Sequence, residues 1–100
     1  MATPAPGKIW VLDPTAQPRR LSHTMAARHS DIRGLAVGFL WNTKPNGDIL
    51  FARLEELLRE KYEITAALYR RKLTSSVPAT GEMLDELATA VDVAIVGLGD

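Results

Sequence analysis

The sequence predicts an α/β domain built on a parallel sheet, and two patterns point to it. Three short apolar runs, at residues 35–41, 64–69 and 92–96, alternate with two segments whose apolar residues recur at helical spacing, 48–62 and 81–91. Such alternation is typical of parallel strands joined by right-handed helical crossovers. The order β-α-β-α-β from Leu35 therefore predicts a three-stranded, Rossmann- or flavodoxin-like half-sheet within a single domain spanning residues 1–100.

Each predicted element has its own signal. The run 35–41 is continuously apolar, which is typical of a strand covered on both faces. Asn46 is expected to cap the first helix, and Thr80 or Ser76 the second, because their side-chain oxygens can accept from free N–H groups of the first turn. The apolar residues expected to form the buried face of the first helix are Leu50, Leu54, Leu57 and Leu58, widened by Ile49 and Phe51.

The N-terminal third of the chain has weaker signals. Residues 1–7 are rich in Pro and Ala and are expected to be a disordered lead-in. Residues 8–12 are β-branched and aromatic and end at Asp13-Pro14, which predicts an extra N-terminal strand. Residues 15–33 show no sustained period and predict a long loop, with one helical turn near 25–28.

Composition excludes several classes of function. Twelve basic and twelve acidic side chains give a formal net charge of zero, so no nucleic-acid partner is expected. There is no cysteine, and His23 and His29 match no standard zinc spacing, so no metal is expected. Gly97-Leu98-Gly99 lacks the third glycine of a dinucleotide fingerprint, and no cofactor is predicted. Without a signal peptide or a membrane-length apolar run, a cytoplasmic protein with no membrane partner is expected.

The candidate site lies where the predicted strands end. Ligands of open α/β sheets bind outside the carboxyl ends of the strands. Asn42, Lys44 and Asn46 follow the first predicted strand, and Asp100 follows the third. Lys44 could bind a small anionic substrate that Asn46 and Asn42 orient. The plainer interpretation, a solvated lysine beside a helix cap, remains open.

Two segments in this order resemble the UGSC-like family. They are Leu-Ala-Val-Gly-Phe-Leu-Trp-Asn-Thr-Lys-Pro-Asn at 35–46 and Val-Gly-Leu-Gly-Asp at 96–100, with Asp-Pro-Thr at 13–15 similar to the family's N-terminal region. The family is named for a selenocysteine (or cysteine)-Gly-Ser-Cys motif, which directly follows Gly-Leu-Gly-Asp in its members. The resemblance implies the N-terminal part of a thiol- or selenol-dependent redox protein. It places Asp100 next to the reactive motif and leaves no catalytic residue within the chain.

The resemblance also implies a reason for the chain's length. If the codon after Asp100 were UGA for selenocysteine and were read as a stop, the chain would be truncated there and would be inactive by itself. The alternative is a small complete α/β module. Such a module would cover its hydrophobic edge strand by forming a homodimer. It would bind an anionic ligand through Lys44, Asn46 and the loop arginines Arg19, Arg20 and Arg28.

Overall fold

The computed structural model describes residues 3–99 and confirms an α/β fold with an all-parallel sheet. Its elements are β1 (Ala36–Trp41), α1 (Gly47–Tyr62), β2 (Ala66–Arg71), α2 (Gly81–Ala90) and β3 (Val93–Gly97). The strand order is β2-β1-β3, so β1 is central and both of its neighbours run parallel to it. This is the predicted three-stranded half-sheet, and each element begins and ends within two residues of its predicted bounds.

The core lies around β1, which is covered on both faces. Val37 and Phe39 are at most 1% exposed and pack with Phe51 and Leu58 of α1. Because successive side chains of a strand point to opposite faces, Gly38 faces the other side. There a Cβ on Gly38 would lie 2.9 Å from side-chain atoms of α2 and of the residue after it, so the missing side chain allows α2 to pack closely on β1.

The buried face of α1 differs from the predicted one. Phe51 and Leu58 are buried and Leu54 is half-buried, but Leu50 is 51% exposed and Ile49 is 66% exposed. The helix starts with Gly47 packed against the Trp41 ring. The helix face that begins at Gly47 therefore lies on the sheet, and it continues through Phe51, Leu54 and Leu58. The prediction of Leu50 and Ile49 as core residues is therefore wrong, and so is that of Leu57, which is 37% exposed.

The predicted N-terminal strand is not formed. Residues 8–12 have no strand conformation, and Ile9, Val11 and Leu12 are 84%, 76% and 97% exposed. Strand conformation needs a hydrogen-bonded neighbour, and both edges of β1 are already occupied while this segment reaches neither outer edge. The helical turn expected near 25–28 is also absent from the described chain.

No helix between residues 3 and 99 is both long enough and apolar enough to cross a membrane.

Candidate functional site

The candidate site is the carboxyl edge of the sheet, where β1 and β3 end side by side. Trp41, the last residue of β1, is opposite Gly97, the last residue of β3. Asn42 therefore emerges next to Leu98, and the two segments that resemble the UGSC-like family meet here. The loop after β2 reaches the same edge, since the Lys72 amide donates to the Trp41 carbonyl at 2.8 Å.

Asn42 joins these two segments with its backbone and its side chain. Its backbone amide donates to the Gly97 carbonyl at 3.0 Å. Its side-chain Nδ2 donates to the Leu98 carbonyl, and the Leu98 amide donates to Asn42 Oδ1 at 2.8 Å. The side-chain amide thus pairs with the Leu98 backbone as a neighbouring peptide group would, and it extends the β1–β3 ladder beyond the last strand residue. We call this pair the Asn42–Leu98 clamp.

Lys44 is held through its backbone in a tight turn. Its amide donates to Asn42 Oδ1 at 3.3 Å, and its carbonyl accepts from Trp41 Nε1 at 2.9 Å and from the Gly47 amide at 3.2 Å. The residue is half-buried. The structure therefore places Lys44 beside the clamp and one short turn before α1; binding of an anion by its side chain stays a prediction.

Asn46 occupies the N-cap position of α1 but does not cap it with its side chain. Its φ is 70° and ψ is −1°, and its side chain makes no capping hydrogen bond within the described structure. A capping side chain normally belongs to a residue in the β region; the left-handed conformation here is the reason that the expected cap is wrong. By contrast, Thr80 caps α2 as predicted, with its Oγ1 accepting from the Met83 amide at 3.2 Å.

The structure thus brings Asn42 and Lys44 into one hydrogen-bonded unit with Leu98 and leaves the exposed Asn46 beside it at the start of α1. The predicted role of Asp100 lies outside the described residues. Trp41 was missed by sequence reasoning as a site residue, although its indole N–H fixes the turn at Lys44. A tryptophan directly before Asn-Thr-Lys-Pro-Asn is the signal that could have identified it.

Two groups with shifted pKa values, Tyr69 and Glu55, lie away from this edge, between β2 and α1. The Tyr69 hydroxyl donates to Glu55 Oε1 at 2.8 Å, and burial followed by this carboxylate raises the pKa of Tyr69 to about 12. Hydrogen bonds from Arg59 and Tyr69 lower the pKa of Glu55. Tyr69 also stacks on Phe39, with ring centroids 4.7 Å apart. This network attaches α1 to β2, and we assign it a structural role.

In class, the molecule is an open-sheet α/β protein with polar side chains gathered where β1 and β3 end. The family comparison makes this assignment specific: the model of the UGSC family matches residues 10–100, and the chain belongs to that family. No curated protein and no solved structure matches the chain.

Proposed function

We propose that this chain forms the frame of a thiol- or selenol-dependent redox protein of the UGSC family, whose reactive selenocysteine (or cysteine)-Gly-Ser-Cys motif directly follows Asp100. Family membership and the resemblance of residues 96–100 to the segment before that motif support the proposal. The observation that carries it is the Asn42–Leu98 clamp, which holds this segment at the carboxyl edge of the sheet.

The clamp limits where the reactive residue can lie. Position 101 is three residues beyond Leu98, and an extended chain covers about 3.3–3.6 Å per residue. The Cα of the reactive residue would therefore lie within about 11 Å of the Leu98 Cα, at the same edge as the Lys44 backbone. A neighbouring cation stabilises a thiolate or selenolate, which is the reactive form. A second cysteine three residues later lies on the same face of a following helix and can resolve an oxidised intermediate.

The nucleotide sequence after the Asp100 codon tests the proposal first. We expect an in-frame UGA or cysteine codon, followed by codons for Gly-Ser-Cys and by further α/β sequence. Any other stop codon, or a continuing frame without the motif, would refute the proposal and direct the search for a ligand to the edge at Lys44.

A thiol titration of the product translated through the motif tests the role of Lys44. We expect Lys44→Met to raise the pKa of the first thiol, followed by ultraviolet thiolate absorbance, because the stabilising positive charge is removed. Lys72→Met is the matched control, since Lys72 follows β2 at the same edge and its Nζ lies 3.4 Å from the Ser75 carbonyl oxygen. Equal shifts in the two variants would exclude a specific contribution of Lys44.

A second candidate is a small anion-binding module, and the turn of Lys44 at the start of α1 favours it. Titration of the 100-residue chain with inorganic phosphate, followed by amide chemical shifts, tests this function. Saturable changes confined to residues 42–47 would support it. Shifts absent there, or spread evenly over the surface, would exclude it.

A further inference from the structure

The turn that joins β1 to α1, residues 42–47, contains non-glycine residues in the left-handed conformation. Thr43 has a φ of 68° and Asn46 has a φ of 70°. The left-handed region is uncommon for residues with a Cβ, and a β-branched residue such as Thr43 is an outlier there. Strained residues of this kind persist only where the surrounding structure fixes them. The contacts of this turn must therefore offset the cost of its backbone conformation.

The Trp41 side chain closes this turn by touching it at both ends. Its Nε1 donates to the Lys44 carbonyl at 2.9 Å, and its ring packs on Gly47, where an added Cβ would lie 2.2 Å from Nε1. The Lys44 carbonyl also accepts from the Gly47 amide at 3.2 Å. The indole and the first amide of α1 thus share one acceptor, and Trp41 fixes the Lys44 backbone against the start of the helix.

Trp41 is itself anchored in the sheet. It is the last residue of the central strand and is paired with Arg71 of β2 and Gly97 of β3. Its carbonyl accepts from the Lys72 amide at 2.8 Å, and its half-buried side chain packs against the core. Groups supported by strands and helices are held more precisely than groups supported by loops alone. Trp41 therefore connects the turn to a rigid part of the fold.

The clamp and the Trp41 contact hold different parts of the turn. Asn42 Oδ1 accepts from the Leu98 amide at 2.8 Å and from the Lys44 amide at 3.3 Å. The Trp41 indole holds the Lys44 carbonyl instead. The peptide groups before and after Lys44 are thus bound by two different side chains. A change at Trp41 should loosen the second peptide group and leave the hydrogen bonds between Asn42 and Leu98 in place.

We propose that Trp41 is a positioning residue for the reactive group: by fixing the Lys44 backbone, it keeps the Lys44 cation at the edge of the sheet where that group follows. The inference rests on the proposed function, in which a neighbouring cation stabilises the thiolate or selenolate. The attraction between two charges falls with their distance and is weakest in water. A looser turn would let the Lys44 side chain move away into solvent, and the pKa of the reactive group would rise.

Titration of the first thiol in the product translated through the motif tests this inference. Trp41→Phe retains an aromatic ring beside Gly47 and removes the indole N–H. We expect it to raise the pKa of that thiol in the same direction as Lys44→Met and by less. Added to Lys44→Met, it should cause no further rise, because its effect passes through Lys44. Trp10→Phe is the matched control, since Trp10 is 62% exposed outside the sheet, and it should leave this pKa unchanged.

Hydrogen exchange in the 100-residue chain tests the geometry without the reactive motif. In Trp41→Phe, exchange of the Gly47 amide should accelerate roughly 2- to 13-fold, because one hydrogen bond that holds its acceptor is lost. Exchange of the Leu98 amide should stay at the parent rate, because Asn42 Oδ1 is retained. If Trp41→Phe does not fold, Gly47→Ala supplies the second perturbation, since its new Cβ displaces the indole from the same contact.

The outcomes separate this inference from the proposed function. If Lys44→Met leaves the thiol pKa unchanged, the role of Lys44 in the proposed function is wrong, and this inference is wrong with it. If Lys44→Met raises the pKa and Trp41→Phe does not, the proposed function stands and only this inference is overturned. Equal rises from Trp41→Phe with and without Lys44 would also overturn it, as would exchange that accelerates equally at Gly47 and Leu98.

Discussion

Replacing Asn42 by alanine tests whether the position of the segment before Asp100 depends on the clamp. In the parent chain, the Asn42 side chain donates to the Leu98 carbonyl and accepts from the Leu98 amide. The substitution removes both hydrogen bonds. Both groups are part-buried, and their loss leaves the Leu98 peptide groups without these partners. We therefore expect the segment 97–99 to open more often while the rest of the sheet remains folded.

The magnitude follows from the two hydrogen bonds. Each contributes about 0.5–1.5 kcal/mol net, so the opening free energy of this segment should fall by about 1–3 kcal/mol. Since 1.4 kcal/mol corresponds to a factor of ten, amide exchange at Leu98 should accelerate roughly 5- to 150-fold. Asn42→Asp keeps an acceptor for the Leu98 amide but sets a carboxylate oxygen against the Leu98 carbonyl oxygen, so it should also accelerate exchange at Leu98.

Hydrogen exchange measured residue by residue by NMR is the assay. Asn46→Gly is the control, because Asn46 has a φ of 70° that glycine adopts freely, and its side chain forms no capping bond in the described structure. Exchange at Leu98 should be unchanged in the control. If Asn42→Ala also left Leu98 exchanging at the parent rate, the clamp would contribute no stability and the reasoning would be wrong.

Two further substitutions test the packing and its pH dependence. Gly47→Ala should destabilise the fold by about 1–3 kcal/mol, because the new Cβ would lie 2.2 Å from Trp41 Nε1. Gly81→Ala is the control, because Gly81 is also the first residue of a helix and its new Cβ would have no heavy atom within 4 Å. This substitution should be neutral or stabilising. Urea denaturation measures both, and equal effects would contradict the steric argument. Tyr69→Phe should raise the pKa of Glu55 toward its ordinary value. Because the pKa of Glu55 is lowered in the folded state, its carboxylate stabilises the fold above the ordinary pKa, and this stabilisation is lost on acidification. The Tyr69→Phe variant should therefore lose less stability than the parent between about pH 7 and pH 3. Above about pH 10 the parent should lose stability as unfolded tyrosine ionises before folded Tyr69, whose pKa is about 12; identical pH profiles would contradict the assignment.

The sheet was predictable because its signals are local and agree with one another. A continuous apolar run at β1, two helical periods and polar turns between them allow few arrangements, and right-handed crossovers place the helices on opposite faces. Thr80 was predictable as a cap for the same reason, since its partner Met83 is three residues away.

The parts that could not be predicted depend on distant partners. Residues 8–12 have strand composition, but strand conformation depends on an edge that accepts them, which the single chain does not bring to them. Asn42 could be placed at the carboxyl edge, but its pairing with Leu98 depends on the register that sets Trp41 opposite Gly97. The buried face of α1 likewise depends on the contact between Gly47 and Trp41 rather than on the count of leucines.

Polar side chains add hydrogen bonds at both ends of the backbone pairing between β1 and β3. At the start, the Ala36 amide donates to Asp92 Oδ2 at 2.9 Å and the Asp92 amide donates to the Ala36 carbonyl at 2.9 Å. At the end, both bonds use the Asn42 side chain, whose Nδ2 donates to the Leu98 carbonyl and whose Oδ1 accepts from the Leu98 amide, 56 residues away. Within the described chain, β3 has only β1 as a neighbouring strand. The hydrogen bonds at the two ends of this pairing therefore add to the stability of β3 in the sheet. The placement of the Gly-Leu-Gly segment therefore depends on β1 and on Asn42, the residue that follows it.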